Sequence, residues 1–462
     1  MHDGAALQTF LRPRLAVMSL RQELHALRAL AGPVVMTQLL SMTLGVVDNV
    51  MLGHHSTEAL ASSSLGRTWV FGVAVIAMGM LSGLDPRVSQ AHGARDGQRV
   101  AAALQGGVVL ALLLSVPVVL ATGATGSVLG WIGVTPELAS DAGRYARAQL
   151  WGIPFMLLFH VQRSWLQGRG LMRPALLVVL AANALNAAAN WVLIFGHLGF
   201  EAGGIEGAGR ATALTQVFMC LALALLASRL GEGRGLSARW SSRSTTELRA
   251  IVGVGLPLAA QFGLEVWAFQ GATLLAERLG TIPVAAHTIA LNLASISFMV
   301  PLGISIGAST RVGNLIGEGR LERAELAARA AMGLGTGVMC VAAAVFIVGR
   351  QWLPGLYGAE PAVLAAATAI LPIAAAFQLF DGLQVVCSGV LRGMGRTRIL
   401  AVVHLVSFYG LGLPLAWWLA IEDGLGLPGV WWGLALGLGA VAVSLALWVL
   451  RNGPRSLQPH AA

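Results

Sequence analysis

Charged residues are scarce in this chain, and one of the four common charged types is missing. Of 462 residues, 11% are charged and 56% are hydrophobic, and all 30 basic residues are arginine because the chain has no lysine. Soluble globular proteins carry about 25% charged residues. The apolar residues also form long runs, including 108–121, 175–194 and 431–450. Runs of about 20 apolar residues can cross a bilayer as helices, so we predict an integral membrane protein.

Several motifs that would indicate an enzyme or an ATP-driven pump are also missing. The chain has no GxxxxGK[ST] loop, no HExxH and no GxSxG, and thus no recognisable nucleotide, zinc-protease or hydrolase site. Its three cysteines (Cys220, Cys340, Cys387) lie in apolar stretches and give neither a disulfide framework nor metal spacing. Residues 1–23 are polar and lack the pattern of a cleaved signal peptide. We therefore expect no enzymatic activity and no cofactor.

The arginines follow a pattern along the chain that predicts membrane topology. They concentrate at both ends and in every second connection between apolar segments, whereas the alternate connections carry more acids. Arginine-rich short loops stay cytoplasmic, so the net charge of +9 reflects topology, and we expect no nucleic-acid partner. The prediction is an all-α fold with twelve spans and both termini cytoplasmic, in a bacterial inner membrane. The predicted spans are 30–52, 62–84, 99–122, 145–166, 174–196, 207–229, 249–275, 283–308, 325–348, 362–390, 399–420 and 427–450.

An internal repeat divides the chain near its midpoint. Shifting the sequence by about 224 residues places Pro33 on Pro257 and the Arg-Val pair 87–88 on 311–312. We therefore predict two pseudo-symmetric six-helix bundles, 1–230 and 247–462, joined by a cytoplasmic linker at 231–246. Six spans per half give both halves the same orientation. Transporters built from such repeats bind substrate between the halves and rock one half against the other.

Three carboxylates lie well inside predicted spans: Asp48, Glu265 and Asp381. A charged residue at a helix centre costs about 3 kcal/mol on insertion scales. Burial disfavours the charged form of a carboxylate, which would poise these groups for proton exchange. If they stay charged, they suit a monovalent cation such as Na⁺. The simpler reading is that they hydrogen-bond neighbouring helices and only hold the bundle together.

Polar and helix-bending residues accompany these acids. Gln261 lies one turn before Glu265, and Gln378 lies three residues before Asp381. The fifth predicted span carries a stripe of three asparagines, for which a purely structural role is nearly as plausible as a functional one: Asn183, Asn186 and Asn190. Pro33 and Pro257, at equivalent repeat positions, are candidate kinks for gating or static bends.

Several segments together resemble a known family, the NorM-like branch of the multidrug and toxic compound extrusion (MATE) transporters. The resemblance covers most of residues 30–400 and weakens over the last two spans. The stretches that carry it together are PRVSQAHGA at 86–94, NAAANW at 186–191, EVWAF at 265–269 and FDGLQVVCSGVLRGMGRTR at 380–398, with 32–61 and 284–317.

This resemblance implies efflux of cationic or amphipathic compounds driven by inward H⁺ or Na⁺. It places cation-coupling roles on five residues, with a possible Na⁺ site at the last two: Asp48, Asn186, Asn190, Glu265 and Asp381. Where the family often has a tyrosine four residues before the tenth-span acid, this chain has Phe377. A hydroxyl ligand is thus missing, which leaves H⁺ coupling open beside Na⁺. We expect a monomer whose partners are the lipid bilayer and small substrates.

Two other functions fit the same architecture. A lipid-linked sugar flippase of the wider superfamily would favour arginines inside the spans, where they could grip a pyrophosphate. A membrane-embedded enzyme would need a convergent nucleophile or metal set. Because the deepest charges in the predicted spans are acidic, the antiporter is the favoured interpretation.

Overall fold

The computed structural model describes residues 3–230 and 241–457, which are almost entirely helical and include no strand. The all-α prediction is therefore confirmed for this part of the chain. The helices before the midpoint are α1 (Asp3–His55), α2 (Thr57–Leu81), α3 (Leu84–Gly93), α4 (Gly97–Gly123), α5 (Thr125–Trp131), α6 (Pro136–Ala148), α7 (Ile153–Gly168), α8 (Arg173–Phe195) and α9 (Gly204–Arg229).

The helices after the midpoint are fewer. They are α10 (Ser242–Arg278), α11 (Thr281–Gly317), α12 (Leu321–Val348), α13 (Pro361–Gly393), α14 (Arg398–His404), α15 (Leu413–Trp417) and α16 (Leu427–Asn452). The π-helical stretch Leu405–Gly412 joins α14 to α15, and a second one, Trp418–Glu422, extends α15, so that 398–422 form one continuous helix.

Local sequence signals explain several helix ends. Ser56 caps α2 by accepting a 3.0 Å hydrogen bond from the backbone N–H of Ala59, and Asp96 caps α4 by accepting one of 2.9 Å from Arg99. Gly196 ends α8 in a left-handed conformation with φ 77°, which glycine adopts without steric cost. These caps fix where the chain leaves one helix and enters the next.

Eleven helices among the described residues are long and apolar enough to cross a membrane. Their outer faces carry large exposed apolar side chains; on α4, Leu113, Val116 and Leu120 are each at least 60% exposed. Such contiguous apolar surface on a long helix is compatible with lipid and not with water. The chain is a multi-pass membrane protein.

The fourth predicted span, 145–166, is the one that is not a single long helix. The chain there forms α6, a 3₁₀ turn at Leu150–Gly152 and then α7, which has only 16 residues. Pro154 at the start of α7 has no backbone N–H to continue a helical ladder from α6. Twelve spans with cytoplasmic termini therefore stay a prediction, with eleven long apolar helices observed in the described part of the chain.

By their internal contacts the residues fall into two compact units. The C-terminal unit comprises the described residues up to Val35, residues 93–95 and the described residues from Ala268 onward. Its centre is α13, which packs against α11, α12 and α16. Fully buried α13 side chains, among them Val386, Cys387 and Val390, form its core.

The N-terminal unit comprises residues 36–92 and the described residues from Asp96 to Trp267. Its helices pair as α8 with α9, α2 with α6, and α7 with both α4 and α9. Its apolar core includes Leu81, Leu104, Leu157, Leu166 and Ile251.

Two helices belong to both units and depart from the predicted halves. The unit boundary crosses α1 between Val35 and Met36 and crosses α10 between Trp267 and Ala268. The early part of α1 thus packs with helices of the second sequence repeat, and the early part of α10 packs with helices of the first. Of the predicted linker, residues 231–240 lie outside the described residues, and α10 already begins at Ser242. Two like-oriented bundles stay a prediction.

Candidate functional site

Asp48 is a buried carboxylate on α1 in the N-terminal unit, 6% exposed. Asn190 on α8 donates a 2.5 Å hydrogen bond from Nδ2 to Asp48 Oδ1. Thr212 on α9 lies 3.4 Å away, with its Oγ1 directed at Asp48 Oδ2. Three helices, α1, α8 and α9, thus converge on this single carboxylate.

A row of amides extends from this carboxylate along α8. Asn190 Nδ2 also donates to Asn186 Oδ1 at 3.2 Å, and Asn186 Nδ2 reaches Thr215 Oγ1 at 3.5 Å. Asn186 and Asn190 are 2% and 0% exposed. The Asn190 Oδ1 atom is buried and has no hydrogen-bond partner among the described residues. The structure thus brings Asp48, Asn186 and Asn190 together and leaves one amide oxygen available to accept from a donor or to contact a cation.

Arg67 on α2 is a charged neighbour of this cluster that sequence reasoning missed. Its guanidinium donates to the Gly45 carbonyl at 3.1 Å and to Asn49 Oδ1, and its charge acts on Asp48. The available signal was an arginine inside the predicted span 62–84. Arg67 offsets part of the negative charge that Asp48 brings into the bundle.

Tyr145 on α6 is a second neighbour that the sequence pattern did not single out. It is 2% exposed, and its hydroxyl interacts with Thr212 and Gln149. Because Thr212 also contacts Asp48, Tyr145 is one residue removed from the carboxylate. Polar residues of four helices, α2, α6, α8 and α9, thus surround Asp48 on α1.

Asn183, the third asparagine of the α8 stripe, has a different environment. Its Nδ2 donates to the carbonyls of Leu40 and Val179, both at 2.9 Å, and its Oδ1 accepts from Thr43 at 2.5 Å. These bonds join α8 to the backbone of α1 and do not involve Asp48. The contacts favour a packing role for Asn183.

Glu265 lies on α10, also in the N-terminal unit, and is half-buried. Gln261, one turn earlier, is 2% exposed, and its Oε1 is buried without a hydrogen-bond partner among the described residues. The helix therefore presents an acid and an amide one turn apart, as the spacing indicated. Their coupling role stays a prediction.

Asp381 lies on α13 in the C-terminal unit and is 5% exposed. Gln378, one turn before it, is fully buried and donates a 2.5 Å hydrogen bond to Ser297 Oγ on α11. Gln378 Oε1 is a further buried oxygen without a hydrogen-bond partner in the described residues. Asp381 and Gln378 thus share a buried stretch of α13.

Phe377 is 2% exposed and belongs to an aromatic cluster in the C-terminal unit. Its ring meets Phe269 and Trp431 edge-on, with centroids 5.9 Å and 5.8 Å away. Such geometry is favourable for aromatic pairs. The position where a hydroxyl ligand could stand is therefore occupied by an apolar ring that packs on its neighbours.

The possible Na⁺ site and the gating role of the two prolines stay predictions. Glu265 and Asp381 fall in different units, and the Na⁺ site suggested for them stays untested; in the described ranges no three His, Cys, Asp or Glu residues cluster as a metal site. Pro33 and Pro257 both lie inside continuous helices, α1 and α10. Their role in gating likewise stays a prediction.

Comparison with known proteins identifies the family. The MatE family model matches residues 33–192 and again residues 257–418, which together exceed half of the chain. The chain belongs to the MatE family. The two matched segments begin 224 residues apart, the same offset that the sequence repeat shows, so each repeat carries one MatE segment.

Curated MatE relatives match along nearly the whole chain. The multidrug resistance protein PmpM of Pseudomonas aeruginosa is 31% identical, covering 96% of this chain and 94% of its own. The multidrug resistance protein NorM of Aliivibrio fischeri is 32% identical (94% and 96%), and NorM of Burkholderia vietnamiensis is 35% identical (90% and 91%).

Solved MatE-type structures share the fold. The eukaryotic MATE transporter AtDTX14 superposes with a TM-score of 0.87 at 24% identity, covering 95% of this chain and 98% of its own. A MATE structure in the bent conformation gives 0.84 at 22% identity (95% and 98%). These are membrane transporters rather than enzymes, and MatE proteins need no cofactor.

Proposed function

We propose that this MatE protein is a secondary antiporter of the bacterial inner membrane that exports cationic or amphipathic compounds in exchange for H⁺ or Na⁺. Relatives at 31–35% identity are named multidrug resistance proteins. The observation that carries the proposal is the buried Asp48, whose side chain is hydrogen-bonded among the described residues by amide and hydroxyl groups. Such a group can change charge inside the membrane without a fixed ionic partner at contact distance.

The proposed mechanism is competition between the coupling ion and the substrate for buried carboxylates. A proton or Na⁺ that reaches Asp48, Glu265 or Asp381 neutralises it and weakens its hold on a cationic compound. Ion binding then shifts the balance between the two facing states, because a ligand moves such an equilibrium only through different affinities for the two states. Asn186 and Asn190 position Asp48 and supply amide oxygens.

Both termini and the arginine-rich connections are proposed to be cytoplasmic, and the protein is proposed to act as a monomer. The topology rests on the distribution of arginine along the chain. It implies that substrate moves away from the arginine-rich side.

Variants of the three acids test the antiporter proposal in cells that lack their own efflux pumps. Asp48→Asn, Glu265→Gln and Asp381→Asn each keep the shape of the side chain and remove its charge. We expect each to lose resistance to a cationic dye while expression in the membrane stays at the wild-type level. Wild-type resistance from a well-expressed Asp48→Asn, Asp381→Asn double variant would contradict the proposal.

A lipid-linked sugar flippase is the second candidate, because Arg163, a half-buried arginine of the N-terminal unit, lies inside a predicted span. Arg163 on α7 donates to Gln38 Oε1 at 3.4 Å and lies 3.3 Å from His160 Nδ1. The negative charge of Asp85 also stabilises its positive charge. These internal partners favour a structural role over a grip on pyrophosphate. Translocation of a fluorescent lipid-linked sugar pyrophosphate by purified protein, lost in Arg163→Gln, would favour the flippase instead.

A further inference from the structure

Two buried glutamates occupy equivalent positions in the two sequence repeats. Glu23 on α1 and Glu247 on α10 are 224 residues apart, and they are 0% and 4% exposed. Neither belongs to the candidate coupling residues. A buried carboxylate is costly unless charged hydrogen-bond donors compensate it, and both glutamates have such donors.

Glu23 is held by two arginines within the C-terminal unit. Arg311 on α11 donates from Nε to Oε2 at 2.7 Å and from Nη2 to Oε1 at 3.0 Å, a two-bond fork. Arg323 on α12 adds two bonds to Oε1, at 3.1 Å from Nε and 2.6 Å from Nη2. All of these donors come from the second repeat, while the carboxylate comes from the first.

Glu247 is held in the same way within the N-terminal unit. Arg87 on α3 forks onto it from Nε and Nη2, both at 2.7 Å, and Arg99 on α4 donates from Nε to Oε1 at 3.0 Å. Here the carboxylate comes from the second repeat and the arginines from the first. Each of the three residues is offset from its counterpart by the same 224 positions. The two arginine clamps, Glu23 with Arg311 and Arg323 and Glu247 with Arg87 and Arg99, are thus reciprocal.

The helix segments that follow the two glutamates pack closely against neighbouring helices at glycines, and these glycines also form equivalent pairs in the two repeats. A Cβ added to Gly303 would meet the backbone nitrogen of Val35 at 2.9 Å, and one added to Gly79 would meet Ala259 Cα at 2.8 Å. Gly303 and Val35 correspond to Gly79 and Ala259 through the same offset. Each segment therefore approaches the backbone of its neighbouring helix closely at these glycines.

Gly83 and Gly307 repeat the pattern one turn further along. A Cβ on Gly307 would lie 3.3 Å from the backbone nitrogen of Ala31, and a Cβ on Gly83 would lie 2.7 Å from that of Gly255. Beside each clamp, van der Waals contact through small residues is the main attraction, as is usual between helices in lipid. The clamp adds charged, directional hydrogen bonds to these close contacts.

We propose that the two arginine clamps are equivalent latches that open together when the transporter changes facing state. In each latch the glutamate is shielded while its arginines keep part of their surface exposed: the side chains of Arg311 and Arg87 are 21% and 23% exposed. Opening returns the glutamate to water, and its hydration offsets part of the lost attraction. A pair of this kind holds firmly when closed and is still able to open.

The latches depend on the antiport proposed above only in that the protein has two facing states. They are tested by thiol labelling without substrate or ion gradient, so loss of transport does not affect the reading. The background replaces Cys220, Cys340 and Cys387 with alanine. The reporters are Leu27→Cys and Ile251→Cys, which stand at equivalent positions one turn after each glutamate and are both 0% exposed in the native chain.

The measurement is the rate at which N-ethylmaleimide labels each reporter in membranes. Glu23→Gln is expected to raise the rate at Leu27→Cys about tenfold and to raise it several-fold at Ile251→Cys. Glu247→Gln is expected to give the reciprocal result. The matched control is Glu206→Gln, which removes the same charge from an exposed pair with Arg210 at 3.2 Å and is expected to leave both rates unchanged.

Three results would overturn the proposal. If neither glutamine variant raises labelling, the clamps do not hold the segments; if each raises labelling only at its own reporter, they are independent local contacts. Arg323→Gln and Arg99→Gln guard against misfolding, because these side chains are 40% and 31% exposed. Folding is checked by size-exclusion chromatography. Both arginine variants are expected to raise labelling at both reporters by a smaller factor, and unchanged rates in well-folded protein would also overturn the proposal.

Discussion

The Asn190 side-chain amide donates its hydrogen to Asp48 across 2.5 Å, and its own oxygen accepts no hydrogen bond within the described part of the chain. The two residues come from different helices, α8 and α1. A buried amide oxygen without a partner is costly. Its position beside a carboxylate is where a proton or a small cation would restore a full set of contacts.

Asn190→Ala and Asn183→Ala separate coupling from packing on the same helix. Asn190→Ala is expected to lower the half-saturating concentration of the coupling ion, because Asp48 loses the hydrogen bond that stabilises its charge and competes with a cation for its oxygen. Asn183→Ala is expected to lower stability by about 1 kcal/mol through loss of its bonds between helices, with the ion dependence unchanged. Dye transport at graded ion concentration, with thermal unfolding in detergent, measures both. Equal ion dependence in the two variants would contradict the assignment.

Arg67→Gln tests the influence of the missed arginine on Asp48. Removing a positive charge near a carboxylate strengthens its attraction for any cation. The half-saturating concentration of H⁺ or Na⁺ is therefore expected to fall several-fold. Arg144→Gln, at an exposed pair with Asp141, is the control and should behave as wild type. A rise in the half-saturating concentration for Arg67→Gln would show that Arg67 does not act on Asp48 by its charge.

Gly79→Ala and Gly303→Ala test the close helix contacts. At both positions an added Cβ would press on the backbone of a neighbouring helix, and overpacking of this kind costs about 1–3 kcal/mol. Both variants are expected to unfold at lower temperature. Gly333→Ala on α12 is the control, since a Cβ there meets nothing within 4 Å, and it should match or slightly exceed wild-type stability. An unfolding temperature unchanged in the first two would rule out tight contact.

The fold was largely predictable because its main determinants are local or periodic. Apolar length located eleven of the twelve spans, and the 224-residue offset reappears in the two MatE segments. The fourth span was not recognised as broken, since hydropathy does not register the turn at Leu150–Gly152. The division of α1 and α10 between units was also missed. An apolar helix face indicates that it packs but does not specify which helix it packs against.

The candidate site was predictable where burial of a charge singles out a residue. Asp48 stood out as an acid inside a span, and the helical spacing of Asn186 and Asn190 placed them on one face. The same spacing could not separate Asn183, whose partner is the α1 backbone at Leu40. Thr212 and Tyr145 carry no charge and follow no motif, so only the packing of α9 and α6 shows that they belong to the cluster.

The reciprocal clamps were hidden for a related reason. Arg87 and Arg311 were recognised as a repeat match and as topology signals, while Glu23 and Glu247 lie just outside the predicted spans. Nothing in the sequence joins a glutamate of one repeat to arginines of the other. Only the packing of early α1 and early α10 brings these charges within 3 Å of each other.

Transport of a cationic dye by purified protein in liposomes tests the antiport most directly. A proton gradient and a Na⁺ gradient are imposed separately, each with wild type and with Asp48→Asn. Wild type is expected to move the dye against its gradient when at least one ion gradient is present and to stop when an ionophore collapses it, whereas Asp48→Asn should show at least a tenfold lower rate. Equal dye movement with and without any ion gradient, or a wild-type rate from Asp48→Asn, would contradict the account.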